Sequence, residues 1–172
     1  MDDVSRTFTA NIEMLNSMVV LMVGNNFEAH RLNFVSLGNT EEDMFHMGNL
    51  MDEVVVEIEK AVDENTLGLT IFNKESGCMP FIYLKEFSIP VLVHELVHAT
   101  NHIIKFHGLA NGPDHDELQA KMMEYLTKVF ITAFDSNNKE RKRNENQTRL
   151  RQQLKHKFLL HSWTCVQRGG TC

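Results

Sequence analysis

The sequence is poor in cysteine and has no long uninterrupted apolar run. Its 172 residues include three cysteines, Cys78, Cys165 and Cys172, an odd number at wide spacing that argues against a secreted disulfide framework. No segment reaches the roughly 18 consecutive apolar residues that a membrane-spanning helix needs. The acidic, polar start MDDVSRTFTANIEMLN also lacks the basic and apolar regions of a signal peptide. We therefore expect a soluble, unexported protein with free thiols, no membrane contact and a cytoplasmic location.

Basic residues are scarce in most of the chain and concentrated near its end. Residues 1–138 contain 8 Lys and Arg against 21 Asp and Glu, a net charge of −13, whereas residues 139–172 contain 9 against 2, a net charge of +7. With 172 residues, 42% of them hydrophobic, the chain is long enough for one compact domain and an appendage, but short for two domains. We expect a domain at residues 1–138 and a basic helical C-terminal appendage at residues 139–172.

Two segments before residue 65 show clear periodicity. The apolar run SMVVLMV, followed by GNN, predicts a buried strand. Further on, Thr40 and Asp43 approximate a capping box at the start of a helix. Apolar residues then recur at helical spacing: Met44, Met47, Met51, Val54, Val55, Ile58 and Val62. This pattern predicts a long amphipathic helix whose methionines are packing residues, whereas the intervening FEAHRLNFVSLG shows no assignable pattern.

The middle of the chain predicts a β-hairpin followed by a helix. The segments GLTIFN and PFIYLKEF flank the turn-rich KESGC, an arrangement typical of a hairpin. Ser88 can cap the next helix, Pro90 is tolerated in its first turn, and Gly108 ends it.

Two further helices are predicted after the loop LANGPD. Asp114 or Asp116 caps the first, which runs to about Phe134, and the run KERKRNENQTRLRQQLKHKFLLHSW beyond DSNN predicts a final, mostly polar helix. The order of strand, helix, hairpin and helices indicates an α+β domain with a small, mainly antiparallel sheet and packed helices.

The segment IPVLVHELVHATNHIIKFHG contains four of the nine histidines of the chain. Within it, His94, Glu95 and His98 match the pattern H-E-x-x-H. On a helix, positions i and i+4 share a face, so both imidazoles can reach one metal ion, while Glu95 lies beside that ion, where a bound water would sit. The flanking apolar residues are typical of a helix buried under a sheet. The motif therefore predicts a metal site with a catalytic base.

A catalytic zinc ion takes three protein ligands and keeps a fourth position for water. The candidates for the third ligand are His102, His107, Asp114, His115, Asp116 and Glu117. His102 lies one turn beyond His98, but three successive histidines on a straight helix cannot converge on one tetrahedral ion. Glu117 is the better choice, because it opens the following helix, which could return antiparallel and present a carboxylate to the metal.

The segment HELVHAT, followed after a short linker by DELQAKMMEYL, resembles the gluzincins, the thermolysin-like zinc peptidases. Their second helix supplies a glutamate about twenty residues after the second histidine, and Glu117 lies 19 positions after His98. The pattern Glu117-x-x-Ala120 is similar to that of short metallopeptidases encoded by phages and prophages. The resemblance covers Leu67 to Phe134 and implies a minimal zincin-like core in which GLTIFN is a substrate-binding edge strand.

The resemblance also implies a ligand set and a mechanism. Zn2+ would be held by His94, His98 and Glu117, and Glu95 would act as general base on a zinc-bound water that attacks a peptide bond. The donor that stabilises the oxyanion is open among His107, Tyr83, Tyr125 and His115, of which we select His115. Gluzincins often place an aspartate four residues after the ligand glutamate; here that residue is Lys121, so Glu124 or a backbone carbonyl would have to orient the first histidine.

Two other functions are compatible with the sequence. The first is a catalytically idle relative, a phage structural, assembly or binding protein that retains the fold and uses its basic tail for contacts. The second is a nucleic-acid-binding module that uses residues 139–172, which could equally bind an acidic partner. A phage origin would place the protein in the host cytoplasm or in the virion. The tail also contains His156, His161, Cys165 and Cys172, whose spacing matches no compact zinc knuckle.

Overall fold

The computed structural model describes residues 5–73, 77–109 and 114–167, with side chains as far as residue 149. Four strands and four α-helices occur in these residues. Their order is β1 (Arg6–Ile12), β2 (Ser17–Val23), α1 (Phe27–Val35), α2 (Glu41–Ala61), β3 (Gly68–Ile71), β4 (Phe81–Leu84), α3 (Ile89–Phe106) and α4 (His115–Gln167). A short 3-10 helix, Glu13–Leu15, connects β1 to β2. The predicted α+β class is confirmed.

The four strands form one mixed sheet in the order β1-β2-β4-β3. β1 pairs with β2 and β3 pairs with β4 in antiparallel fashion, whereas β2 and β4 are parallel, with Val20 opposite Phe81 and Val23 opposite Leu84. The predicted hairpin is therefore confirmed as β3 and β4, and β3 is an edge strand. The parallel pair was not expected; it arises because α1, α2 and β3 all intervene between β2 and β4 in the chain.

Strand β1 was not predicted, because its sequence RTFTANI places polar residues at most positions. An edge strand tolerates this composition, since only part of its surface packs on the core. Arg6, Ala10 and Ile12 are buried, and the remaining positions are partly or fully exposed. The turn into β2 contains Asn16 in the left-handed region, with φ 44°, a conformation that asparagine tolerates better than most residues.

Helices cover both faces of the sheet. Val20 and Met22 of β2 and Phe81 and Tyr83 of β4 belong to a core cluster with α1 and α2, to which those helices contribute Phe34, Met51, Val54 and Ile58. Alternate strand residues point to the opposite face, where α3 packs against β3 and β4. Because both faces are covered, β2 is almost wholly apolar and buried, as the run SMVVLMV predicts.

Helix α2 begins at the predicted position. The Thr40 hydroxyl accepts a hydrogen bond from the Asp43 backbone N–H at 3.0 Å, and the Asp43 carboxylate accepts one from the Thr40 N–H at 3.1 Å. These two bonds form a complete capping box and satisfy two backbone donors that a helix start would leave unpaired.

Helix α3 contains the H-E-x-x-H motif and ends at the predicted glycine. Pro90 lies in its first turn, and Ser88 occupies the N-cap position without a side-chain capping hydrogen bond. Gly108 has φ 70°, and the backbone N–H groups of Gly108 and Leu109 donate to the carbonyls of Lys105 and Ile104. This is a Schellman motif, which needs a left-handed residue that glycine adopts without a steric penalty.

Helix α4 is continuous from His115 to Gln167, although the sequence predicts a helix end near Phe134. The segment DSNN contains weak helix formers but neither glycine nor proline, so nothing in it breaks the backbone hydrogen-bond ladder. The chain divides into two compact units, Met1–Ile131 and Thr132–Cys172. In the first unit, Met122, Leu126 and Phe130 are buried at four-residue spacing.

In the described residues, no helix is both long enough and apolar enough to cross a bilayer. Cys78 is a free, half-buried thiol whose sulfur donates to the Asn16 carbonyl at 3.6 Å. Cys165, Cys172 and the tail histidines lie outside the residues whose side chains are described.

The capping box of α2 gives a test of the fold. Thr40→Ala should lower the free energy of unfolding by about 1 kcal/mol, because it removes the acceptor of the Asp43 N–H. Thr40→Ser keeps a hydroxyl at the N-cap, so its free energy of unfolding should fall by only a few tenths of the loss in Thr40→Ala. Urea unfolding of the three proteins measures both values. Equal losses in the two variants would show that the capping hydrogen bond is not the cause.

Candidate functional site

Helix α3 brings the two motif histidines together on its exposed face. Their Nε2 atoms are 3.3 Å apart, and the rings are inclined at 76° with their centroids 5.0 Å apart. Both side chains are exposed, because His94 and His98 point away from the sheet, whereas Leu92, Leu96 and Ala99 are buried. The one-turn spacing of the motif therefore produces the shared face that the sequence predicts.

The separation of the two nitrogens fits a tetrahedral zinc ion. Zinc binds imidazole nitrogen at about 2.0–2.1 Å, so two ligands at a tetrahedral angle lie about 3.3–3.4 Å from each other. The Nε2 atoms of His94 and His98, 3.3 Å apart, match this edge length. Both nitrogens would have to be unprotonated to bind a metal. The distance between the two nitrogens is therefore compatible with two corners of a zinc site.

Glu95 lies on the side of α3 that faces the sheet. It is only 6% exposed, unlike the two histidines that surround it in sequence. The Thr70 hydroxyl, on edge strand β3, lies 2.7 Å from Glu95 Oε2 and 3.1 Å from the Glu95 carbonyl oxygen. A hydroxyl has only one hydrogen to donate. The carboxylate oxygen is the stronger acceptor, because its contact is the shorter of the two and is charge-assisted. Thr70 thus holds Oε2, while Oε1 accepts no hydrogen bond from the described residues.

A surface cleft of about 510 Å³ adjoins this carboxylate. The segment 65–68 forms one wall, and the first turns of α3 form the other, with Pro90, Val91, His94 and Glu95. The turn before this segment is held by Asp63, whose carboxylate accepts hydrogen bonds from the Thr66 hydroxyl at 2.7 Å and the Asn65 N–H at 2.9 Å. The Thr66 hydroxyl, followed by the Asn65 N–H, keeps the pKa of Asp63 below its ordinary value.

The close approach of β3 to α3 depends on Gly68. A Cβ atom at this position would lie 2.6 Å from Val91 Cγ1, 3.0 Å from Leu84 Cδ2 and 3.2 Å from Glu95 Cγ. Distances this short mean that a side chain would force the strand and helix apart. Gly68 and Thr70 point to the same side of β3, so the glycine sets the spacing across which the Thr70 hydroxyl reaches Glu95.

The predicted third ligand, Glu117, is not next to the histidines. It lies in the first turn of α4 with its side chain 67% exposed, and its Oε1 forms an ion pair with Lys121 Nζ at 3.0 Å. Among the described side chains, no group of three His, Cys, Asp or Glu residues is placed to hold a metal. The structure therefore pairs His94 with His98, and Glu117 does not join them in such a group, so its role as a ligand stays a prediction.

The candidate oxyanion donors also lie outside the cleft beside Glu95. His115 Nδ1 is 3.0 Å from Asp116 Oδ1, and Tyr125 donates to the Asn11 carbonyl at 3.0 Å. Both line a separate pocket of about 630 Å³ whose apolar walls are Ile12, Met14, Leu109, Leu118 and Met122. The predicted catalytic role of His115 stays a prediction.

The remaining candidates have structural partners. His107 Nε2 is 3.0 Å from Ser17 Oγ, and Tyr83 donates to Asn25 Oδ1 at 2.5 Å. His102 Nε2 is 3.3 Å from the Gly77 carbonyl oxygen, and its ring stacks on Phe72 with a centroid distance of 4.1 Å. These contacts fix the histidine rings to neighbouring segments and leave neither His102 nor His107 free to join the pair.

Sequence reasoning missed Thr70 and Gly68, although both lie in the predicted edge strand. The only signal was indirect: a strand next to an active-site helix needs a small residue where the backbones approach, and GLTIFN begins with glycine. Comparison of the chain with protein-family models, curated proteins and solved structures finds no match.

Gly68→Ala tests the spacing between β3 and α3. We expect the free energy of unfolding to fall by about 1–3 kcal/mol, because the new methyl group overlaps Val91 and Leu84. The double variant Gly68→Ala/Val91→Ala should recover part of this loss in urea unfolding.

Gly48→Ala is the matched control. A Cβ atom there would first meet Arg31 Nη2 at 3.3 Å, the end of a flexible side chain, inside helix α2 where alanine is the better helix former. Gly48→Ala should therefore be neutral or stabilising. A Gly68→Ala protein as stable as this control would show that the approach of β3 to α3 is not tight.

Proposed function

We propose that the protein is a zinc-dependent metallopeptidase in which His94 and His98 hold the metal and Glu95 is the general base. One observation carries the proposal: the two Nε2 atoms lie 3.3 Å apart on the exposed face of α3, next to a carboxylate that is 6% exposed and anchored by Thr70. A chance pair of surface histidines would not need a buried carboxylate directly after His94 that is held by a hydroxyl of the edge strand.

Glu117 is the third ligand in this proposal, on the basis of the gluzincin resemblance. For the carboxylate to reach the metal, its ion pair with Lys121 would have to open and Glu117 would have to move next to His94 and His98. Opening the ion pair costs little, because both side chains are about two-thirds exposed, and exposed pairs contribute only about 0–1 kcal/mol. The same ion pair favours the alternative, a protein that retains the motif without the chemistry. Zinc content and turnover separate the two.

The chemistry of the site follows from the two oxygens of Glu95. When bound, zinc would lower the pKa of a coordinated water and polarise the scissile carbonyl. Glu95 Oε1, which accepts no hydrogen bond from the described residues, takes the proton of the attacking water and returns it to the leaving amine. Oε2 keeps its hydrogen bond to Thr70 at 2.7 Å, so the carboxylate does not rotate between the two proton transfers.

The substrate in this proposal is a protein or peptide in extended conformation. Within the described part of the chain, β3 is the last strand of the sheet and pairs only with β4, so its outer edge presents backbone N–H and C=O groups without strand partners there. A peptide that adds to this edge gains main-chain hydrogen bonds and lies next to Glu95, because Thr70 of the same strand contacts that residue. The adjoining cleft, with Leu67, Pro90 and Val91, would accept an apolar side chain of the peptide.

The metal assignment predicts one zinc ion per chain in protein purified without added metal. Replacing either His94 or His98 with alanine should abolish binding, and Glu117→Ala should remove or greatly weaken it, because each substitution deletes one of three ligands. Elemental analysis of the purified proteins measures the zinc content.

Glu140→Ala is the control, since it removes another exposed carboxylate from α4 and should leave zinc in place. Full zinc content in Glu117→Ala would exclude Glu117 from the ligand set. No zinc in the natural chain, even after zinc is supplied, would contradict the proposed function.

Cleavage of labelled unfolded casein should depend on Glu95 and on the Thr70 hydroxyl. Glu95→Gln should lower kcat at least 100-fold, the usual scale of a general base, with zinc content unchanged. Thr70→Val should lower kcat more than it changes KM, because the carboxylate loses its anchor while the strand edge remains. Thr70→Ser should restore most of the rate.

Glu86→Gln, an exposed charge-matched substitution, is the control for Glu95→Gln and should leave the rate unchanged. If Glu95→Gln cleaves casein as fast as the natural protein, Glu95 is not the base. If Thr70→Ser cleaves casein as slowly as Thr70→Val, the Thr70 hydroxyl does not position the Glu95 carboxylate.

A further inference from the structure

The segment 139–149 of helix α4 is exposed at every position. It is part of the second compact unit and is helical throughout. No residue in it is hydrophobic in the sequence KERKRNENQTR, so the segment has no apolar face with which to pack on a core. A helix with this composition depends on something other than core burial for its stability.

Its basic residues are concentrated on one face. At 100° per residue, four cations fall within a face about 120° wide, together with Asn146. We call these four the basic stripe: Lys139, Lys142, Arg143 and Arg149. The two acidic residues of the segment, Glu140 and Glu145, fall outside it, and Glu145 is already paired with Arg141 at 2.9 Å.

The basic stripe is not neutralised within the chain that the structure describes. None of its four residues has an ion pair among the described side chains, and no Asp or Glu follows Glu145 in the sequence. Lys139 lies three and four residues before Lys142 and Arg143, so their like charges repel along the helix. A bound polyanion would remove that repulsion and release its own counterions, which favours both the helix and the complex.

We propose that the basic stripe binds the phosphate backbone of duplex DNA, with the helix seated in the major groove. The major groove of B-form DNA is about 12 Å wide and admits an α-helix with its side chains. The corresponding groove of duplex RNA is too narrow and deep for this. The segment 139–149 contains no aromatic residue on which unpaired bases could stack, so a single strand is disfavoured.

The test is fluorescence anisotropy of a labelled 20-base-pair DNA duplex with the full chain. Contacts to four phosphates predict a slope of about −3.6 in a plot of log K against log salt concentration, or roughly a 100-fold loss of affinity between 50 and 200 mM salt. The triple variant Lys139→Gln/Lys142→Gln/Arg143→Gln should weaken binding at 50 mM salt by at least tenfold and flatten the slope. Glutamine is a good helix former, and circular dichroism should show unchanged helicity.

The control loses the same charge from exposed sites in the other unit, as Lys60→Gln/Lys105→Gln/Lys128→Gln, and should bind like the natural chain. Equal losses in the two triple variants would overturn the proposal, as would equal affinity for polyglutamate, single-stranded DNA or duplex RNA. Binding should survive removal of zinc by a chelator and the substitution Glu95→Gln, so the result is independent of the proposed peptidase activity.

Discussion

The contact between helix α3 and edge strand β3 determines the arrangement of the candidate site. Gly68 allows the two backbones to approach, and the Thr70 hydroxyl then reaches Glu95 Oε2 at 2.7 Å. A buried carboxylate needs a partner of this kind, since loss of water without a hydrogen bond is costly. The contact therefore satisfies an acidic group at the core boundary and at the same time fixes its orientation beside two exposed histidines.

The rest of the fold supports this contact from both sides of the sheet. β4 lies between β3 and the almost wholly buried β2, and α1 and α2 fill the opposite face with Phe34, Met51, Val54 and Ile58. The edge strand is thus backed by a dense core, although it is only four residues long and one of its edges has no strand partner among the described residues. An unpaired strand edge can promote aggregation unless the strand is short or the edge is covered by a binding partner. In the proposed peptidase, this edge is the surface that pairs with the substrate.

The two units of the chain differ in the way their charges are satisfied. In Met1–Ile131, three carboxylates have local partners: Glu95 has Thr70, Asp63 has Thr66, and Glu117 has Lys121. In the described side chains of Thr132–Cys172, the four cations of the basic stripe have no carboxylate partner. The proposed peptidase activity and the proposed DNA binding therefore depend on separate residues.

Local sequence patterns determined most of the elements. The buried run of β2, the capping box of α2, the hairpin, and the helix from Ser88 to Gly108 with its H-E-x-x-H face all follow from hydrophobic periodicity and backbone preferences, which act over a few residues. The paired histidines were predictable for the same reason, because i and i+4 are neighbours on any helix. Tertiary structure alone decided the parallel pairing of β2 with β4 and the hydrogen bond from Thr70 to Glu95. These depend on which segments meet after the chain has packed, and one-turn periodicity has no information about contacts between residues 25 or more positions apart.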